Sequence, residues 1–436
     1  MPNTLLKAFR SPLWLFFLGI AFFFALNHYI GIVSDGLLYL LQAVHWLDPE
    51  RFSDDAAFMF GNQDSFCLFS PVYAAFIKCF GVDSGSELAC FLSQGLWIVG
   101  FLLVVRRFFA KFHASLLTLF FALAFIALNA HGSACAKYFT GQTFFWLVEP
   151  CFVSRLLAEA LGLLGLSFLF DRNKYKALGF ILLGTLMHPL MAGWCFALWL
   201  FFHFPKTILP IAIIALLAPL NAFLHIGKFD FYPASWPTRP LEYSASYFDV
   251  CRFVTYFAVL LSALRISHNR HLLKLSKSLL ILLAICSYLY FVGAGTENIF
   301  LYQIQFYRVE WLYKIFAPMI LVACFWERFL FSKRQRSFGF LHNLSLLLLF
   351  SVLVSYRHSL PIDILALALI LLPDHRLPQG SSRSLKISFL CIALVTLLLH
   401  SYVQFFLYGA SIPVFSFGRL SWAISALTLL ERIASV

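Results

Sequence analysis

Charged residues are scarce in this chain. Asp, Glu, Lys and Arg make up 12% of its 436 residues, against about 25% in soluble globular proteins. No hydrophilic stretch is long enough to build a separate soluble domain. Several short signatures are also missing. The ten cysteines contain no CxxC pair and no metal-ligand spacing. There is no phosphate-cradling Gly-rich loop, no HExxH and no GxSxG, so zinc, nucleotide and serine-hydrolase chemistry have no motif to stand on. No internal repeat and no low-complexity linker breaks the chain.

What fills the sequence instead is apolar. Hydrophobic residues reach 61%, with 53 phenylalanines. Runs of about 20 apolar residues recur along the length, which is the signature of bilayer-spanning segments. In hydrocarbon the backbone must satisfy its own hydrogen bonds, so these runs are expected to be helices. The expectation is an all-α polytopic membrane protein with about 12 crossings, forming a single membrane domain over 1–436. The formal charge of +12 does not point to nucleic acid. The basic residues sit in short loops: Lys7 and Arg10, Arg106 to Lys111, Arg172 to Lys176, Arg265 to Lys277, Arg328 to Arg336, and Arg376 to Lys386. By the positive-inside rule these loops and both termini are cytoplasmic. The absence of an N-x-[ST] site in the first outer loop favours a bacterial inner membrane.

The acids gather elsewhere. Of twenty, six (Asp35, Asp48, Glu50, Asp54, Asp55 and Asp64) fall between Gly31 and Cys67, with Arg51 as the one base among them. This stretch follows a first span expected at 12–31, which reads as a retained signal anchor because Lys7 and Arg10 precede an apolar run without a clear cleavage site. Within the outer loop 32–87, Leu37, Leu38, Leu41, Val44 and Leu47 recur at helical spacing, the pattern of a helix lying at the interface. A second interfacial helix is expected over 66–80. Crossings follow at 88–105, 114–130 and 154–170. Residues 177–203 are interrupted by His188-Pro189 and read as a re-entrant hairpin or two half-length helices. Helices at 207–224, 251–266, 278–294, 314–331, 339–356, 360–373, 386–408 and 414–431 complete the region 206–436.

Carboxylates at a membrane surface can serve as general bases or hold a divalent cation; equally, acidic outer loops are often only solvated. Asp35, Asp54 and Asp55 are the candidates. Lys137, Arg155 and Arg308 lie on the same side, and arginine holds phosphate through two parallel hydrogen bonds. The plainer alternative is local ion pairing, Arg155 with Glu159 and Arg308 with Glu310. His188 is either the satisfied histidine of a kink or part of a site. Cys67, Cys135, Cys151 and Cys251 are close enough to the outer side for a disulfide to be open to them.

The order of these features resembles the GT-C superfamily of membrane glycosyltransferases. It consists of one helix, an outer loop with an early acid, two interfacial helices and a crossing ending in Arg-Arg. The stretches SPVYAAFIKCFGVDSGSELACFLSQGLWIVGFLLVVRRFF and LGFILLGTLMHPLMAGWCFALWLFF carry the likeness, which covers about residues 12–205, the second falling within a GT-C-like block at 88–205. The resemblance implies transfer of a sugar from a lipid-linked (polyprenyl-phosphate) donor to an acceptor at the outer membrane face. It implies an acid base (Asp35, or Asp54 or Asp55) and phosphate contacts from Arg155, Arg308, His188 and Lys137. A metal requirement stays open. The family's acids are often paired near the first helix, whereas the adjacent pair here, Asp54-Asp55, lies about twenty residues after Asp35. A transporter or flippase of lipid-linked glycans, or a glycan polymerase or ligase, are the alternatives. Membrane lipids are the other expected partner.

Overall fold

A computed structural model describes residues 29–33, 35–52, 58, 67–110, 148–170, 174–223, 247–295 and 304–330. Every regular element among the described residues is helical. The spans expected at 12–31 (up to residue 28) and 114–130, and those beyond residue 331, lie outside the described residues, as do Asp54, Asp55 and Lys137. The chain divides into two compact units, Met1–Ala245 with Ser278–Met319, and Ser246–Lys277 with Ile320–Val436.

The first unit starts with α1, Asp35–Leu47, a short 3-10 turn at Glu50–Phe52, and α2, Phe69–Phe80. The stripe expected to make α1 amphipathic points outward: Leu37, Leu38, Leu41 and Leu47 are exposed, while Gly36, Tyr39, Gln42 and Ala43 are buried. A soluble protein's surface helix does the reverse. Small and polar residues face the body here and leucines face outward, the arrangement of an interfacial helix. Tyr39 meets Phe69 edge-on at 5.2 Å, which ties α1 to α2. Gly81, at φ 80°, makes the sharp turn from α2 into α3, Val82–Ala110, as glycine without a Cβ can.

At the centre is α4, Ser154–Ser167, buried on nearly every side. It packs against α3 and against α5, Lys174–Met187. α5 ends where it does because Pro189 forces the preceding residue out of helical geometry. His188 is accordingly extended, at φ −157° and ψ 99°, and α6, Pro189–His203, begins with proline at its first position, where a missing N–H costs nothing. At 14 and 15 residues and 1.5 Å per residue, α5 and α6 are each about 21–23 Å long, short of the ~30 Å hydrocarbon core. The expected break at His188-Pro189 is therefore present, as two half-length helices. After a second 3-10 turn, α7 (Ile208–Phe223) leaves at a sharp bend. Also in this unit are Ser278–Gly295 of α9 (Arg270–Gly295), the 3-10 turn Phe306–Val309, and the start of α10 (Glu310–Leu330). The Tyr313 hydroxyl donates to the Leu279 carbonyl at 2.7 Å.

The second unit contains α8, Tyr247–Ile266, and the remaining parts of α9 and α10. Asn269 caps α9: its Oδ1 accepts from the His271 and Leu272 amides at 2.9 and 3.3 Å, satisfying two N–H groups a helix start leaves open. Glu327 accepts from the His268 amide at 3.1 Å.

Two described helices, α3 over Val82–Phe109 and α9 over Arg270–Val292, are long and apolar enough to cross a membrane. A third crossing results if α6 and Pro205–Leu217, bent by 112°, count as one broken span. The molecule is thus an all-helical, membrane-associated protein in its described part.

Candidate functional site

The polar groups of the first unit converge at one place. Asp35 opens α1, and its Oδ2 accepts from Arg155 Nη1 at 2.7 Å across 120 residues of sequence. The other nitrogen of the same guanidinium, Nη2, donates to Glu149 Oε1 at 2.8 Å. Backbone contacts hold the three in register. The Ile30 amide donates to the Pro150 carbonyl at 3.1 Å, and Gln94 on α3 donates from Nε2 to the Glu149 carbonyl at 3.0 Å. Gly36 packs on Cys151. So the segment before α4 lies against both the entry to α1 and the side of α3.

The two carboxylates differ in surroundings. Asp35 has a side chain 49% exposed, whereas Glu149 is 9% and Arg155 13%. Burial pushes the Glu149 carboxyl above the usual carboxylate range, against the pull of Arg155. Burial likewise raises the neighbouring Cys151 thiol to about 12. Asp35 keeps Oδ1 without a hydrogen bond from any described residue, so one oxygen is fixed and the other is available.

Arg308 arrives from the other end of the unit's sequence. It sits in the 3-10 turn Phe306–Val309, and its amide donates to the Gln305 carbonyl at 2.8 Å. Gln305 adopts φ 53°, a left-handed conformation costing about 1–2 kcal/mol for a residue with a Cβ. Arg308 Nη1 lies 3.2 Å from His188 Nε2. A guanidinium only donates, so His188 accepts at Nε2 and its ring carries the proton on Nδ1. Trp194 against Phe306 at 5.7 Å and Trp311 donating to the Met191 carbonyl at 3.3 Å hold this turn on α6. The break at His188 thus places an imidazole under Arg308. Glu149 and Tyr39 lie within the electrostatic reach of both arginines and of Asp35.

Of the residues singled out in the sequence, the structure brings Asp35 and Arg155 into contact, and His188 and Arg308 into contact, in one electrostatic neighbourhood. Asp54, Asp55 and Lys137 lie outside the described residues. Arg155 turns to Asp35 and Glu149, and Glu159, one turn along α4, accepts instead from the Trp97 indole at 3.3 Å. Glu310 pairs with Lys314 at 3.6 Å, its i,i+4 neighbour on one helix face. Cys151 is a free thiol.

Comparison with protein-family models, curated proteins and solved structures returns no match. Glu149 is the participant that sequence reading left in the background. The cue was its place directly before Pro150, a few residues ahead of the arginine that opens α4. As for metals, no group of three or more His, Cys, Asp or Glu is arranged around a cation among the described residues. Between Asp35 and Glu149 the Arg155 guanidinium itself occupies the cationic position.

Proposed function

We propose that the chain is a membrane glycosyltransferase of GT-C type, moving a sugar from a polyprenyl-phosphate-linked donor to an acceptor hydroxyl at the outer membrane face. The observation that carries this reading is the convergence of Asp35, Arg155, His188 and Arg308 from four separated segments. In the proposed reaction Asp35 Oδ1 takes the acceptor hydroxyl's proton as that oxygen attacks the anomeric carbon. The bond from carbon to phosphate oxygen breaks, and the polyprenyl phosphate departs as an anion. Arg155 has two carboxylates on its guanidinium, so stabilising the departing phosphate falls chiefly to Arg308, oriented by His188. Electrostatic stabilisation of developing charge is often the largest catalytic contribution; positioned general-base help adds roughly 10²- to 10⁴-fold. In this reading the protein has about 12 crossings in a bacterial inner membrane, with both termini cytoplasmic.

The test is transfer by purified protein, with a synthetic polyprenyl-phosphate sugar as donor and a panel of hydroxyl acceptors. Asp35→Asn is expected to abolish transfer while leaving expression and thermal stability intact, and Arg308→Gln to lower it by more than tenfold. Full activity in Asp35→Asn would remove Asp35 from the role of base. A second reading, a flippase or transporter of lipid-linked glycans, draws on the buried Glu159 on α4 and the break at His188, since intramembrane acids and broken helices mark many transport pathways. Donor movement across proteoliposomes without any sugar transfer would favour it.

A further inference from the structure

The opposite end of the α3–α6 bundle is built from basic and aromatic side chains. Arg107, near the end of α3, donates from Nη1 to the Ser167 carbonyl at 2.8 Å. Its guanidinium carbon lies 4.0 Å above the Phe168 ring, and Phe168 stacks on Phe180 of α5 at 5.9 Å. Lys174, at the start of α5, holds its ammonium 4.2 Å over Phe204, while its carbonyl accepts from Trp199 Nε1 at 3.1 Å. These contacts bring the end of α3, the end of α4, the start of α5 and the end of α6 to one face. Arg106, Lys176 and Lys206 are exposed there, and Tyr175 is 70% exposed. None of the described residues that form this face is acidic. The connection 171–173 carries one acid and one base in sequence, which leaves the balance unchanged.

The flanks of the same helices are apolar and open. Phe91, Leu92 and Leu96 on α3, and Leu182, Leu183 and Leu186 on α5, are exposed. At 1.5 Å per residue they lie about 10–20 Å along the helices from the basic end. An apolar flank running into a rim of lysine, arginine and tyrosine is the profile of a surface at headgroup depth, with long basic side chains reaching toward phosphates. A nucleic-acid or peptide partner would leave that flank uncovered, whereas a lipid covers flank and rim together.

We propose that this face is a binding surface for anionic phospholipid headgroups, with Arg106, Lys176 and Lys206 contacting phosphate and Tyr175 lying among the glycerol and headgroup atoms. Arg107 and Lys174 brace the face from behind through their aromatic and carbonyl contacts. Basic side chains near an anionic surface each strengthen association about fivefold, so the three exposed ones together give a preference of roughly 100-fold for anionic over zwitterionic lipid. The surface is independent of the sugar-transfer reading.

The experiment uses the purified full chain in detergent, titrated with phosphatidylglycerol or phosphatidylcholine, and counts bound lipid by native mass spectrometry alongside the melting temperature. The native chain is expected to retain phosphatidylglycerol preferentially and to melt higher with it, and the preference is expected to fall at high salt, since screening weakens exposed charge contacts. The triple variant Arg106→Gln, Lys176→Gln, Lys206→Gln is expected to lose the preference, while Lys78→Gln at the other end keeps it. Equal retention of both lipids by the native chain, or an undiminished preference in the triple variant, overturns the proposal. Should the triple variant not fold, the salt titration of the native chain decides, and a salt-independent preference overturns it.

Discussion

Arg155 carries two carboxylates on one guanidinium, and the two contacts are not equivalent. Asp35 is half in water, where an ion pair is worth about 0–1 kcal/mol. Glu149 is buried, and removing the partner of a buried charge costs about 3–5 kcal/mol. Arg155→Met is therefore expected to destabilise mainly through Glu149. The direction with pH follows from the carboxyl's raised folded-state value. The folded chain binds that proton more tightly than the unfolded chain does, so the contribution of Glu149 is present below its unfolded value and lost as pH rises through the folded one. Arg155 opposes that loss. Without it the loss deepens, and the melting-temperature gap between native chain and Arg155→Met should be wider at about pH 8 than at about pH 5. A gap that stays constant across the range would mean Glu149 is not held by Arg155. At this scale the sequence was partly legible. Asp35, Arg155 and Arg308 stood out as charges beside apolar runs. Which of them pair was not legible, because pairing across 120 residues leaves no local trace, whereas the i,i+4 neighbour Glu159 advertised a contact that Trp97 takes instead.

Elements pack through small residues where helices approach closely, as in membrane bundles generally. A Cβ added at Gly165 of α4 would lie 2.6 Å from Ile181 Cγ1 and 2.9 Å from the Ala177 carbonyl oxygen on α5. The side chain can turn away, but the backbone oxygen cannot. Gly165→Ala should force α4 and α5 apart and cost about 1–3 kcal/mol. Gly179, on α5 itself, meets nothing within 4 Å, so Gly179→Ala should be neutral or stabilising by about 0.4–1 kcal/mol. Melting both variants in the same detergent separates a close-packed seam from general intolerance of change. If the two shift alike, the seam is not tight. Helix existence was legible because a 20-residue apolar run has few alternatives to helix, and the break at His188 because proline dictates it. The outward-turned leucines of α1 were legible as a stripe. Their direction was not, since periodicity says which residues share a face and not what that face meets.

At the scale of the whole molecule, the Asp35 site meets the side of α3 at Gln94, about 20 Å along the helix from Arg107 at the basic face. α3 as a whole, at 29 residues, spans about 43 Å, more than the ~30 Å hydrocarbon core, so in the proposed reading its two ends lie on opposite sides of the membrane. This makes sidedness measurable with the chain's own thiols. Cys79 is exposed at the end of α2, just before the turn into α3, whereas Cys195, Cys286 and Cys324 are buried in the helices. An impermeant maleimide applied to sealed vesicles with the proposed outer face outward should modify Cys79 and spare those three, with the sites identified by peptide mass. Lys176→Cys, at the basic end, should react only after the vesicles are opened. The reverse pattern would invert the protein and turn the Asp35 site toward the cytoplasm. A lipid-linked donor would then have to react before crossing the bilayer, which fails the outer-face reading even if the residues themselves are right. Labelling at both positions from one side would show that α3 does not cross at all, and the sidedness on which the outer-face reading depends would be lost.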